Sequence, residues 1–151
     1  KECNFDAKSK SLDNIAYHLQ YIDFLIHLYN EYQIYLTVEA LLFKDIIVNC
    51  FIVTECVIDD IIHQRGLRER LDKYLAESQS CFYSEVQLLA DQGIINNDLL
   101  QMLDWLRQQR NNLHLPSVGS AELLNYSIDD ANRAIKIIKL LNKLGPRMSG
   151  N

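Results

Sequence analysis

From Thr37 to Arg65 the chain contains no glycine and no proline. Its centre, Ile46-Ile-Val-Asn-Cys-Phe-Ile-Val53, is rich in β-branched residues, and this eight-residue run alone would read as a buried strand. Length decides the matter, because strands in globular proteins run about 3–10 residues and need turn residues at their ends. The polar residues Asp45, Asn49, Asp60 and His63 also fall on one stripe at roughly 100° per residue, which a strand would not group. The segment therefore reads as a long helix from about Val38 to Gln64, capped by Thr37 and stopped at Gly66.

The same scarcity of turn residues holds for the whole chain. Five glycines and two prolines in 151 residues lie well below the average of roughly 12%. An all-β sandwich or barrel needs many more tight turns than these supply. Apolar residues at 48% and charged residues at 23% belong to an ordered globular chain. The expectation is all-α: one domain over residues 1–151, a bundle of four to six helices, with the polar residues 1–11 frayed. The chain opens on Lys1 rather than Met, as a trimmed chain or an excised domain would.

Apolar spacing places the first helix at about Leu12–Tyr32, with Ser11 or Asp13 as cap. A charged segment, Leu67–Glu77, follows the long helix. Ser80 caps a short helix that ends before Gly93, and Asn97 caps the next, Asp98–Leu113, which Pro116 closes. Pro116–Tyr126 reads as a loop. Ser127 with Asp130 three residues later forms a capping-box pattern that opens a last helix, Ile128–Leu144, stopped by Gly145–Pro146.

Charge narrows the function classes. The net charge of −5 argues against a general nucleic-acid or membrane-surface protein. Residues 1–103 carry 8 Lys/Arg against 16 Asp/Glu, whereas residues 104–151 carry 7 against 4, so an anion site belongs in the last third. The most apolar stretch, Ile46–Ile62, is broken by Asn49, Glu55, Asp59 and Asp60, and a membrane span needs about 20 mostly apolar residues. Cys3, Cys50, Cys56 and Cys81 form no CxxC pair and no metal-finger spacing. Cys50 and Cys56 read as small buried hydrophobes, and a reducing, cytoplasmic setting is expected.

The informative stretch is Asp104-Trp-Leu-Arg-Gln-Gln-Arg-Asn-Asn-Leu-His-Leu115. Arg107 and His114 are seven residues apart, roughly 20° short of two helical turns, and Arg110 and Asn111 fall between them on the same face. Leu99, Leu106 and Leu113 lie on the adjoining face and anchor it to the core. Guanidinium groups bind phosphate oxygens bidentately, and an imidazole moves protons near neutral pH. A plainer reading of the same residues pairs Arg107 with Asp104 on the surface and sets His114 against the helix C-terminal dipole.

The segment Leu106-Arg-Gln-Gln-Arg-Asn-Asn-Leu-His-Leu115 resembles the signature of the HEPN superfamily (higher eukaryotes and prokaryotes nucleotide-binding), an arginine followed by four to six residues and a histidine. Arg107 with six residues before His114 fits that spacing. Arg110-Asn111 matches the Arg-polar form but leaves only three residues before His114, so Arg107 is favoured and Arg110 stands second. The long apolar helix that precedes the motif helix in the family, with an acidic residue near its end, is similar to Phe51–Ile62 with Glu55, and the resemblance covers roughly Val38 to Leu144.

What the resemblance implies is a metal-independent endoribonuclease of toxin or antiviral-defence type. A 2′-hydroxyl would attack the adjacent phosphorus and leave a 2′,3′-cyclic phosphate. His114 would be general acid or base, Arg107 and Arg110 would stabilise the transition-state charge, Asn111 would position the backbone or the histidine, and Glu55 would orient an arginine. It also implies a homodimer with two motifs across one cleft, RNA as substrate, a possible antitoxin or partner protein, and no cofactor. On the same scaffold the arginines could serve a non-catalytic nucleotide- or RNA-binding or dimerisation module, and a plain helical adaptor is the third reading.

Other signals carry less. Asp60-x-x-His63 has the spacing of a metal half-site, but a di-metal bundle needs two such pairs plus extra carboxylates, and no second pair appears. His18 reads as structural. Tyr17, Tyr21, Tyr29, Tyr32 and Tyr35 read as core or interface packing in an acidic region. Arg133, Lys136, Lys139 and Lys143 read as a solvated face of the last helix, with extension of the phosphate surface as the alternative.

Overall fold

A computed structural model describes residues 4–77, 81–112 and 126–144, and every regular element among them is helical. The order is α1 (Asn4–Glu31), α2 (Leu36–Gln64), α3 (Arg68–Glu77), α4 (Cys81–Asp91), α5 (Asn97–Asn112) and α6 (Ile128–Asn142). The all-α expectation holds, with six helices among the described residues.

The long helix α2 is the centre of the bundle. It packs most extensively against α6 and α1, and also meets α5 and α4. Being covered on several sides explains its apolar run: a helix buried nearly all round loses the polar face of a surface helix. Ile47, Ile58 and Ile62 of α2 are fully buried, together with Leu103 and Leu106 of α5 and Ile137 and Leu141 of α6. Leu99 of α5 is buried too, so two of the three leucines expected to anchor the motif helix do so. Leu113 lies outside the described residues.

The polar stripe of α2 is only partly solvated. Asn49 is buried; its Nδ2 donates to the Asp45 carbonyl at 2.7 Å, and its Oδ1 lies 2.6 Å from His18 Nδ1. His18 is thus structural, as expected, and ties α1 to α2. Two caps differ from the sequence reading by one or two residues. The α2 N-cap is Tyr35, with no side-chain cap bond, rather than Thr37. For α5 the cap is Asn96, whose Oδ1 accepts from the Leu99 backbone N–H at 2.9 Å, rather than Asn97. Helix α1 extends back to Asn4 instead of starting at Leu12, because residues 4–11 hold neither Gly nor Pro to interrupt it. The stops at Gly66 (φ 64°) and Gly93 (φ 66°) are as expected, left-handed positions that a Cβ would strain. At α6 the capping box of Ser127 and Asp130 is formed in both directions.

The cost of the uncapped α2 start is visible at Leu36, which has φ 44° and an exposed side chain. A left-handed non-glycine residue is strained by about 1–2 kcal/mol. Leu36→Gly is therefore expected to keep or raise stability, by up to about 1 kcal/mol after the entropy of glycine is offset. Leu36→Ile should lower it. Urea unfolding midpoints of the three proteins check this.

The tyrosines divide. Tyr29 packs edge-on against Phe43, with ring centroids 5.0 Å apart. Tyr17, Tyr21, Tyr32 and Tyr35 are exposed, so of the expected core or interface packing the core part does not hold for them: the α1 face carrying Ile22 and Leu25 packs on α2, and these four lie off it.

Candidate functional site

The motif arginines occupy the last two turns of α5, where that helix faces α4 and α2. Arg107 is half-buried. Its Nε and Nη2 donate to the same Asp104 oxygen, at 3.0 and 2.7 Å. The other Asp104 oxygen accepts from Gln108 Nε2 at 2.7 Å. The guanidinium of Arg107 also lies 5.6 Å from the centroid of the Tyr83 ring on α4. The plainer pairing with Asp104 is therefore realised, and it holds Arg107 in one place.

Arg110 has a different environment. Its guanidinium lies 5.7 Å from the Phe51 ring centroid on α2, and Phe51 in turn packs against Phe82 of α4 at 5.0 Å. Among the described residues no carboxylate hydrogen-bonds Arg110. Glu55, one turn beyond Phe51, is half-buried; burial pushes its carboxyl above the usual range, and the charge of Arg110 pulls it back. Glu55 thus faces Arg110 electrostatically, without a hydrogen bond, and not Arg107. Asn111 is exposed at the helix end. His114 lies outside the described residues.

Between α4 and α5 is an open groove of about 470 Å³, within the range of small-molecule sites. Phe82, Val86 and Leu100 make its apolar floor, and Tyr83, Gln87, Gln101, Asp104 and Arg107 supply its polar rim. The sequence shows Arg107 and Asp104 but not the rest, because Tyr83 and Gln87 lie in a short helix 20 or more residues upstream and have no motif of their own.

A second cluster sits where α2, α3 and α4 meet. Glu85 is 7% exposed, and it accepts from the Cys81 thiol, with Sγ 3.4 Å from Oε1. Burial pushes the Glu85 carboxyl upward, the Cys81 hydrogen bond lowers it, and Asp59, Arg68 and Glu55 act on it by charge. Arg68 is committed to Asp59 at 2.7 Å. A carboxyl raised in the folded state binds protons that the unfolded chain has released, so its stabilising contribution is present at low pH and lost as pH rises past the ordinary carboxylate value. Glu85→Gln keeps the shape and the acceptor. It is expected to raise the melting temperature at pH 7, with the gain shrinking towards pH 4, as measured by thermal melts across that range.

Among the described residues no three His, Cys, Asp or Glu side chains gather where a metal ion could sit; the Asp60 carboxylate of the metal half-site accepts from Gln64 instead. No described helix is long and apolar enough to cross a membrane. Cys50, Cys56 and Cys81 are free thiols. Cys50 is buried as expected, its thiol pushed up to about 12 by burial, whereas Cys56 is only half-buried because it points off the packed face of α2. On α6, Arg133 lies 4.4 Å from the Trp105 ring centroid, which engages it with α5, while Lys136, Lys139 and Lys143 are exposed. No protein-family model matches the chain, and no curated protein and no solved structure matches it either.

Proposed function

We propose that this chain is a metal-independent endoribonuclease of HEPN type, working as a homodimer in a reducing cytoplasm. The observation that carries the reading is the placement of Glu55 on the long apolar helix opposite Arg110 on the motif helix, the relation that the resemblance expects of those two elements. Arg110, without a carboxylate bonded to it among the described residues, takes the transition-state charge. Arg107, already held by Asp104, positions the substrate beside it. His114 moves the proton of the attacking 2′-hydroxyl or of the leaving 5′-oxygen, and Asn111 orients the backbone near it. One motif carries one histidine, so a second copy completes the acid–base pair across a two-fold axis.

The net charge of −5 weakens unassisted RNA binding. This makes a partner protein, of antitoxin or defence-complex kind, part of the proposal. The second reading is a non-catalytic nucleotide- or RNA-binding module on the same scaffold.

The test is incubation of the purified protein with single-stranded RNA and with DNA of the same sequence, both in EDTA. Cleavage of RNA alone, with 2′,3′-cyclic phosphate ends, is the expected outcome, because DNA lacks the nucleophile. RNA left intact at excess protein would transfer the case to the binding module. The mass in solution is expected to be that of a dimer at micromolar concentration.

A further inference from the structure

We propose that the groove between α4 and α5 binds one nucleobase, its ring lying with the Tyr83–Arg107 layer and its edge read by Gln87, Gln101 and Asp104. The proposal rests on the RNA reading for the identity of the occupant, but the groove itself stands on a separate observation.

The chemistry of the lining selects the ligand class. The floor of Phe82, Val86 and Leu100 asks for a flat apolar face. An aliphatic chain would satisfy that floor but use none of the donors and acceptors that Gln87, Gln101, Asp104 and Arg107 hold around it. Each carboxamide on the rim offers both a donor and an acceptor, Asp104 offers an acceptor, and Arg107 offers the donors that Asp104 does not use. Among the described residues no hydrogen bond engages the side-chain amides of Gln87 or Gln101. Alternating donors and acceptors around a planar ring is the pattern of a nucleobase edge.

Charge argues the same way. Arg107 and Asp104 neutralise one another at 2.7 Å, so the groove favours a neutral ring over a free phosphate or a cation. The Arg107 guanidinium, 5.6 Å from the centroid of the Tyr83 ring, and that ring are planar groups of the kind on which unpaired bases stack. Arg110 leaves the same helix one turn later, so a base seated here directs its own phosphodiester towards a guanidinium that no carboxylate hydrogen-bonds among the described residues. The two arginines thereby divide the work between base and phosphate.

The ligand could be a free nucleotide or a nucleotide within a strand. Amide NMR titrations of the full chain with each of the four nucleoside 5′-monophosphates, with ribose 5-phosphate, and with a 2′-O-methylated single-stranded hexanucleotide separate these. At least one monophosphate or the hexanucleotide is expected to shift Tyr83, Gln87, Gln101 and Arg107, and ribose 5-phosphate is not. Half-saturation tenfold lower for the hexanucleotide assigns the strand as the source; comparable values assign the free nucleotide. Tyr83→Ala and Gln101→Ala, both at exposed side chains, should each weaken binding roughly fivefold or more, the scale of one lost stacking contact. No shift in the groove with any base, shifts of equal size with ribose 5-phosphate, or unchanged affinity in both variants would overturn the proposal. Base binding without RNA cleavage would leave it standing while removing the nuclease reading, and cleavage without groove shifts would do the reverse.

Discussion

His114→Ala is expected to lower cleavage of single-stranded RNA by roughly 10²–10⁴-fold, the usual contribution of a positioned proton-transfer group. Arg110→Ala should cost roughly 10²–10³-fold in kcat, the scale of losing one group that stabilises developing charge. Arg107→Ala should act mainly on KM, because two of its donors are spent on Asp104 and the role proposed for it is to place the substrate. The contrast matters more than any one value, since spacing to His114 favours Arg107 and environment favours Arg110. Single-turnover rates in EDTA separate the two. A variant lacking Arg110 that turns over at the parental kcat would return the charge-stabilising role to Arg107. Asp104→Asn supplies a control, because releasing Arg107 from its carboxylate should alter KM and leave the dependence on Arg110 intact. Helix content by circular dichroism should be unchanged in the Arg110 variant, whose side chain is exposed at the end of α5.

How far the sequence could carry these assignments depends on range. Helix type, and the bounds of every helix but the start of α1, were legible because they follow from local signals: the absence of Gly and Pro through α2, the left-handed glycines after α2 and α4, and the reciprocal bonds of Ser127 and Asp130. Cap positions slipped where two polar residues compete within one turn, as Asn96 and Asn97 do, or where no polar side chain is used, as at Tyr35. The arginine pair was legible as a motif on one helix. Its division of partners was not, because that depends on Tyr83 and Phe51, which reach the site from α4 and α2 by tertiary packing. The groove is invisible to periodicity for the same reason. Asn49 shows the converse: its position on a polar stripe predicts solvent, and only the approach of His18 from another helix turns it into a buried tie. The buried Glu85 likewise follows from the meeting of α2, α3 and α4, not from any pattern along α4.

The stability of this site should be set far from it, at the contact of α2 with α6. Ile137 has no exposed surface, and α6 makes its largest contact with α2. Truncating a fully buried isoleucine to alanine removes its transfer free energy and leaves a cavity that the neighbours fill only in part, for a loss of about 2–5 kcal/mol. Native domains hold only about 5–15 kcal/mol in total, so Ile137→Ala is expected to lower the melting temperature by roughly 10 °C for a chain of this size. Ile137→Val, which removes one methylene, should cost about 0.5–1.5 kcal/mol. Thermal melts followed at 222 nm check both. A drop of less than about 2 °C for the alanine variant would mean that α6 is not a structural wall of the bundle. Because α5 also packs on α6 and carries Trp105 against Arg133, loosening α6 should lower the temperature at which Trp105 fluorescence changes in step with helix loss. Separate transitions would show instead that the motif helix is held by α2 and α4 alone.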